Sequence, residues 1–294
     1  MKGHPFLYGL LFLMVFFWAA NFIVGKVALR EFPPLLLGGL RITLAGLFIL
    51  PVYLWEGRRK PERWGRGDLP LLITLGVVGV AFNQLFFVLG LSRTTVAHSA
   101  IIVSMGPVLV LLIGSSMGLE KITPRKIAGM LIAIGGVGVL KLFQVEPTIG
   151  ARPTWAGDGF IFLSSITFAL FAVFGKRVTS QHSAITVNTF AYVGGAVALA
   201  PMTLWQASRF PFASISTLGW VSLGYMAAFP AVLCYLIFYY ALSQIAASRV
   251  MAFTYLQPLL ATTLAVIALH EPVTAPVVTA GLTILAGMYL AERG

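Results

Sequence analysis

Long apolar runs without a charged residue recur along the chain, at 5–25, 69–92, 183–208, 250–269 and 272–291. Each run is close to the roughly 20 residues that an α-helix needs to cross the hydrocarbon core of a bilayer. The pattern predicts an all-α integral membrane protein with ten transmembrane helices. These predicted segments, numbered 1 to 10, are 5–27, 33–55, 69–92, 96–118, 126–143, 158–176, 184–207, 217–242, 248–269 and 273–291.

Composition agrees with this pattern, since apolar residues make up 59% of the 294 residues and charged residues only 10%, against roughly 25% charged in a soluble domain. The net charge of +11 does not indicate nucleic-acid binding, because the Lys and Arg residues lie in short connections, where membrane insertion retains them. Cys234 is the single cysteine, which excludes an intrachain disulfide and a thiolate metal cluster. The lipid bilayer is therefore the expected environment, with no nucleic-acid partner.

The two halves of the chain match each other in order along the sequence. The ordered matches predict two homologous repeats, 6–142 and 157–291. Because each repeat holds five helices, an odd number, the second repeat is expected to be inverted in the membrane. The matched pairs, at offsets of 150 or 151 residues, are Gly25-Lys26 with Gly175-Lys176, Pro51 with Pro201, Trp55 with Trp205, Pro107 with Pro258, Glu120 with Glu271, Thr123 with Thr274 and Gly136 with Gly287.

The distribution of basic residues predicts that both termini are cytoplasmic. With this orientation, thirteen Lys or Arg lie on the cytoplasmic side and six outside, as the positive-inside rule requires. The predicted location is the inner or plasma membrane. Equivalent loops of the two halves differ in basic residues as an inverted pair should: the loop after segment 2 holds Arg58, Arg59, Lys60, Arg63 and Arg66, and the loop after segment 7 holds only Arg209.

The acidic residues and histidines give no sign of catalysis. All nine carboxylates lie near predicted helix ends or in loops, and the histidines at 4, 98, 182 and 270 suggest neither a metal site nor a nucleophile–base pair. We therefore expect no enzyme activity, metal or cofactor; a lipid-modifying intramembrane enzyme is a remote alternative. His98, toward the outer end of segment 4, is a candidate for ion coupling, and the alternative is an interfacial histidine that hydrogen-bonds a neighbouring helix end.

Uncharged polar side chains occur at membrane depth on both halves. An amide that faced lipid would cost several kcal/mol, so these groups face other helices or a wet cavity. Helix packing is favoured for Ser164 and Ser165, whereas the amides suit a central cavity shared by the two repeats. The predicted substrate-binding residues, which supply rings and hydrogen bonds, are Trp18, Asn21, Asn83, Gln84, Tyr235, Tyr239, Thr254 and Gln257.

Two further features repeat in the two halves. Pro107 and Pro258 occupy equivalent positions within segments 4 and 9, where each removes a backbone hydrogen bond. Such weak points often flank transporter binding sites, so both are candidate gating residues, with a simple packing kink as the alternative. Segments 5 and 10 carry small residues that allow close helix approach, either as scaffold or as a homo-dimer contact. These are Gly129, Gly135, Gly136 and Gly138, echoed by Ala280, Gly281, Ala286 and Gly287.

The ordered segments resemble the EamA-type branch of the drug/metabolite transporter superfamily. The resemblance rests on the run Phe17-Trp18-Ala19-Ala20-Asn21-Phe22 before Gly25-Lys26, on the stretches from Pro107 to Glu120 and from Pro258 to Glu271, and on the glycine-rich closing helices. It implies a ten-helix carrier with cytoplasmic termini that works by alternating access. It further implies a central cavity lined by segments 1, 3, 4, 6, 8 and 9, with segments 5 and 10 at the periphery.

The hypothesis for function is export of a small polar or amphiphilic metabolite, with amino acids, aromatic ones included, as the first candidates. Similarity to amino acid exporters supports it, although substrate identity does not follow from the fold. A carrier for an anionic metabolite such as a sugar nucleotide is an alternative, and it would need a basic residue in the cavity. Arg41, in segment 2, is the one clearly intrahelical candidate. A channel-like uniporter is a third possibility, since no coupling acid is evident.

Overall fold

A computed structural model describes residues 5–59, 65, 67–94, 96–142, 154–269 and 275–293. Every regular element within these ranges is helical, which confirms the all-α prediction. Six helices are long and apolar enough to cross a membrane: α1 (Pro5–Ala28), α2 (Pro34–Arg59), α3 (Leu69–Arg93), α6 (Trp155–Val178), α7 (Ala184–Ala207) and α8 (Thr217–Gln244). Two further helices are α5 (Pro124–Leu142) and α10 (Ala275–Glu292).

Segments 4 and 9 are discontinuous, whereas the sequence predicted continuous helices at 96–118 and 248–269. The first divides into α4a (Val96–Val103) and α4b (Gly106–Ser116). The second divides into α9a (Ala247–Ala252) and α9b (Leu256–Leu269), which are joined by a 3₁₀ turn. Pro107 and Pro258 lie in the first turns of α4b and α9b. Since proline has no backbone N–H, it cannot continue the hydrogen-bond ladder of the preceding helix, and each interruption falls just before it.

Helices α3 and α8 each contain a π-helical segment that the sequence analysis did not predict. The segments are Leu75–Phe82 in α3 and Ala227–Leu233 in α8. At the ends of these segments, Asn83 N–H donates to the Val78 carbonyl and Cys234 N–H to the Phe229 carbonyl, both five residues back. This wider hydrogen-bond pattern is uncommon and often occurs at functional sites.

The packing of the helices repeats when the two halves of the chain are exchanged. The most extensive contacts pair α5 with α10, α2 with α7, α3 with α6, and α1 with α8. Each helix of the first half has an equivalent in the second, so that α1 corresponds to α6 and α3 to α8. Exchanging equivalents leaves the first two pairs unchanged and converts the pair α3–α6 into the pair α8–α1. The π segments and the helix interruptions also fall at offsets close to 151 residues. These recurrences show a similar packing of the two halves, and ten spans in two inverted repeats stay a prediction.

The small residues of α5 and α10 pack against each other within one chain. A side-chain carbon added at Gly129 would lie 2.3 Å from the Ala291 backbone nitrogen, and one added at Gly287 would lie 2.4 Å from that of Ala133. Gly135, by contrast, has open space around it. This interface supports the scaffold interpretation of the pattern, and a homo-dimer through these helices stays a prediction.

Polar groups at the helix ends link the two halves. Glu31, after α1, accepts hydrogen bonds from Ser216 N–H and Ser216 Oγ, both at 2.6 Å, at the start of α8. Glu120, after α4b, accepts from Ser248 N–H at 2.9 Å and from Ser248 Oγ in α9a. Lys126 pairs with the same carboxylate at 3.1 Å. Both glutamates therefore stabilise helix N-termini, where a negative charge is favoured; the equivalent Glu271 lies outside the described residues.

Glu31 predicts a pH-dependent contribution to stability. The two hydrogen bonds from Ser216 lower the pKa of the Glu31 carboxyl below its ordinary value of 4.5. Stabilisation by the carboxylate is therefore complete above pH 4.5 and is lost as the pH falls through the lowered pKa. We expect Glu31→Gln to decrease the thermal unfolding midpoint slightly at neutral pH, with the difference from wild type disappearing in acid. Glu56→Gln is the control, and an equal effect of both substitutions would contradict this assignment.

The α5–α10 interface gives a matched test of packing. We expect Gly129→Ala to destabilise the protein by about 1–3 kcal/mol, because the new methyl group meets backbone atoms that cannot rotate away. Gly135→Ala, in the same helix, should be neutral since nothing lies near that position. Thermal unfolding of the two purified variants in detergent measures the difference. Equal stability of the two variants would show that the helices do not approach as closely as described.

Candidate functional site

A central cavity of about 80 Å³ lies among the helices of both halves. The interruptions of segments 4 and 9 border it, because Val103 and Gly106 flank the first and Thr254 lies within the second. Its lining combines polar and apolar side chains. The polar residues are Asn21, Arg41, Asn83, Gln84, Ser164, Ser165, Tyr235, Thr254 and Gln257, and the others are Trp18, Phe22, Phe87, Val103, Gly106, Phe168 and Met251.

The structure brings seven of the eight predicted substrate-binding residues together at this cavity. Tyr239 is the exception, because it lies one helical turn beyond Tyr235, with its ring beside Gly175 of α6. Pro107 and Pro258 each adjoin a lining residue in sequence. His98 belongs to α4a, but its side chain lies outside the described part of the structure, so its coupling role stays a prediction.

A chain of hydrogen bonds fixes the polar side of the cavity and joins three helices. Gln84 Nε2 donates to the Tyr235 hydroxyl at 3.0 Å, and this hydroxyl donates to Asn83 Oδ1 at 3.4 Å. Asn83 Nδ2 in turn donates to the Ser164 carbonyl at 2.8 Å and to Ser164 Oγ at 3.0 Å. The chain runs from α8 through α3 to α6. Ser164 therefore serves helix packing, as predicted, and also lines the cavity.

Two amide oxygens at the cavity are buried and have no hydrogen-bond donor within the described part of the chain. They are Asn21 Oδ1 on α1 and Gln257 Oε1 on α9b. Their residues are only 5% and 4% exposed. A buried polar atom without a partner costs about 1–3 kcal/mol, so both oxygens are available to accept hydrogen bonds from a bound molecule.

Aromatic rings form the apolar wall. Trp18 lies edge-on to Phe168 and to Tyr235, with centroid distances of 5.6 and 5.9 Å. Its Nε1–H donates to the Pro230 carbonyl at 3.1 Å. In a regular α-helix that carbonyl would accept from Cys234 N–H, which here bonds the Phe229 carbonyl instead. The π segment of α8 thus provides the acceptor that orients the Trp18 ring.

Arg41 reaches the cavity from α2 and is only 2% exposed. Its Nε donates to the Met226 carbonyl of α8 at 3.2 Å. This acceptor precedes Pro230 by four residues, so proline removes the donor that an α-helix would supply to it. The sequence alone suggests a role for Arg41 only with an anionic substrate. The family resemblance does not place α2 among the helices that line the cavity. A charged residue within an apolar helix was the signal that could have placed it here.

The chain shows clear similarity to a family of membrane proteins. Residues 6–142 and 155–292 both match the EamA-like transporter family. Together with the apolar helices described above, this match defines a multi-pass membrane transporter. The chain belongs to the EamA-like transporter family, which confirms the resemblance drawn from the residues.

Similar proteins are named as transporters. An "Uncharacterized transporter" of Archaeoglobus fulgidus is 28% identical over 284 residues, which cover 96% of each chain. The "Uncharacterized transporter YetK" of Bacillus subtilis is 27% identical over 86% of this chain and 76% of its own. The "Uncharacterized inner membrane transporter YedA" of Escherichia coli K12 is 24% identical over 87% and 80%.

A solved crystal structure shares the fold. It is 18% identical in sequence, covers 99% of this chain and 98% of its own, and aligns with a TM-score of 0.76. At this level of identity the likeness concerns the arrangement of helices alone.

The cavity assignment predicts that its amides contribute to transport. Gln84→Ala and Gln257→Ala should each raise the KM for a transported substrate about two- to tenfold, since each removes a hydrogen-bonding group worth about 0.5–1.5 kcal/mol. Gln244→Ala, an exposed glutamine at the end of α8, is the control. Flux into proteoliposomes containing equal amounts of folded protein gives the three KM values. Unchanged transport of every substrate by both cavity variants would remove these residues from the site.

Proposed function

We propose that the protein exports a small amphiphilic metabolite, in the first place an amino acid, by alternating access around the central cavity. The cavity itself carries this proposal. Its aromatic wall suits an apolar group, and the free oxygens of Asn21 and Gln257 suit the N–H groups of an ammonium. An amino acid offers both features in one small molecule.

The size of the cavity favours a small metabolite over a sugar nucleotide. A water molecule in a protein cavity requires about 10–15 Å³ of space for its centre. The cavity, at about 80 Å³, therefore holds on the order of six waters. About six waters together occupy a volume comparable to that of an amino acid. A sugar nucleotide is several times larger and would require a much wider cavity.

The irregular helices around the cavity support alternating access. Interrupted helices from both halves border the site, which is the arrangement typical of transporters built from repeats. At one end, the Glu120 carboxylate bridges the end of α4b and the start of α9a. Rearranging this contact and its surroundings would open that end of the cavity, while the opposite end closes. The carboxylates and histidines of the sequence suggest no metal site and no nucleophile–base pair, which favours a transporter role over an enzyme role.

The proposed location is the inner membrane, with both termini in the cytoplasm. The excess of basic residues in the loops supports this orientation. One similar protein, YedA of Escherichia coli, carries an inner membrane location in its name.

Counterflow in proteoliposomes tests the proposed function. Vesicles containing the full chain are loaded with a mixture of the twenty amino acids, and the uptake of each labelled amino acid from outside is followed. We expect saturable uptake of at least one of them, dependent on the internal load, because a carrier exchanges its substrate across the membrane. Protein-free vesicles are the control, and no exchange by folded protein would reject an amino acid substrate.

Efflux from cells tests the direction of transport. Cells that produce the protein, preloaded with the labelled amino acid that exchanges in vesicles, should lose it faster than cells with an empty vector. An equal rate of loss, with faster uptake instead, would reject export.

A further inference from the structure

Arg41 places a fixed positive charge at the cavity, and the surrounding protein does not neutralise it. Among the described residues that line the cavity, Arg41 alone carries a charge. The ion pairs in the described structure lie elsewhere, at Glu120 with Lys126 and at Asp68 with His182. Charged side chains within membrane-spanning helices are costly, and as a rule they have a partner or a function.

The guanidinium is held in place at one edge and free at another. Its Nε–H is bonded to the Met226 carbonyl of α8, which orients the side chain. Its Nη1 is buried and has no hydrogen-bond partner among the residues that the structure describes. A purely structural link between α2 and α8 would need one neutral donor, as an amide side chain could supply. A buried cation with an unused donor instead matches an anion that binds in the cavity.

We propose that Arg41 binds the carboxylate of the transported substrate, so that the substrate class is that of small amphiphilic carboxylates. This inference rests on the proposed function, since it takes the cavity as the substrate site. The Nη1–H donates to a carboxylate oxygen, and the opposite charges neutralise each other. For an amino acid, the Asn21 and Gln257 oxygens accept from the ammonium group.

The charge of the site selects a carboxylate over a phosphate. A phosphate monoester carries about −1.5 to −2 charges at neutral pH, whereas the lining residues supply one positive charge. A bound phosphate monoester would therefore leave excess negative charge inside the bundle. A simple carboxylate carries one negative charge and leaves the loaded cavity with no net charge, and a zwitterionic amino acid adds no negative charge in excess of the arginine.

Matched acids and amides test this assignment on the purified full chain in detergent. The probes are hexanoate, 3-phenylpropionate and L-phenylalanine, each paired with its carboxamide, together with phenyl phosphate. The rise of the thermal unfolding midpoint with probe concentration gives an apparent Kd. We expect at least one acid to bind wild type about ten- to a hundredfold more tightly than its amide, as a charge-assisted hydrogen bond implies.

Substitution of Arg41 supplies the second arm of the test. Arg41→Gln should abolish the preference for the acid, and Arg41→Lys should retain part of it, because lysine keeps the charge without the planar donor group. Arg209→Gln, an exposed arginine after α7, is the matched control and should behave as wild type. If Arg41→Gln does not fold, the binding of each acid and its amide to Arg41→Lys and to wild type still tests the assignment.

Several outcomes would overturn the assignment. These are equal binding of every acid and its amide by wild type, retention of the acid preference in folded Arg41→Gln, and tighter binding of phenyl phosphate than of any carboxylate. The two proposals also fail separately. Acid binding that depends on Arg41, without counterflow of any amino acid, keeps this site and rejects amino acid transport. Counterflow without an acid preference keeps transport and rejects this role of Arg41.

Discussion

Hydrocarbon offers no hydrogen-bond partner, so each backbone group that leaves the regular helical ladder must find a partner within the protein. The cavity is built from such departures. The π segment of α8 and its Pro230 leave the carbonyls of Pro230 and Met226, which accept hydrogen bonds from the Trp18 indole N–H and the Arg41 Nε–H. The irregular backbone thereby fixes two side chains of the site, and those side chains in turn satisfy the irregular backbone. A regular α8 would return the Pro230 carbonyl to Cys234 N–H and remove the acceptor of Trp18, so fold and site depend on one another here.

The cavity also depends on both halves of the chain being in contact. The hydrogen bonds of Asn83 and Gln84, on α3, go to Ser164 of α6 and Tyr235 of α8. Each of these bonds joins the first half of the chain to the second. A relative movement of the halves would break this chain of bonds and reshape the cavity at the same time. A site at the contact between the two halves can therefore be coupled to their motion without a separate signalling device.

The sequence predicted the helices and most of the site for one reason: polar groups are costly at membrane depth, and this cost is visible residue by residue. It could not separate Tyr235 from Tyr239, since both are tyrosines on the same helix. Only the packing places the Tyr235 hydroxyl beside Gln84 and the Tyr239 ring beside Gly175. A charge within an apolar helix marked Arg41 as unusual, but the helix that its side chain meets depends on how α2 packs against α8. The π segment of α3 contains no proline and has no local signal of its own; its Gly76 and Gly79 lie against α7 and α6, where a larger residue would clash.

The charge of Arg41 bears on how such a carrier would move. An empty cavity contains one buried positive charge, and enclosing that charge away from water is costly without a partner. A bound carboxylate supplies that partner, so the enclosed state between the two open states is less costly when the site is loaded than when it is empty. The loaded protein should therefore change conformation more readily than the empty one. On this argument the arginine that gives the site its selectivity also favours exchange of substrates over return of the empty carrier, and a coupling acid in the cavity is not required.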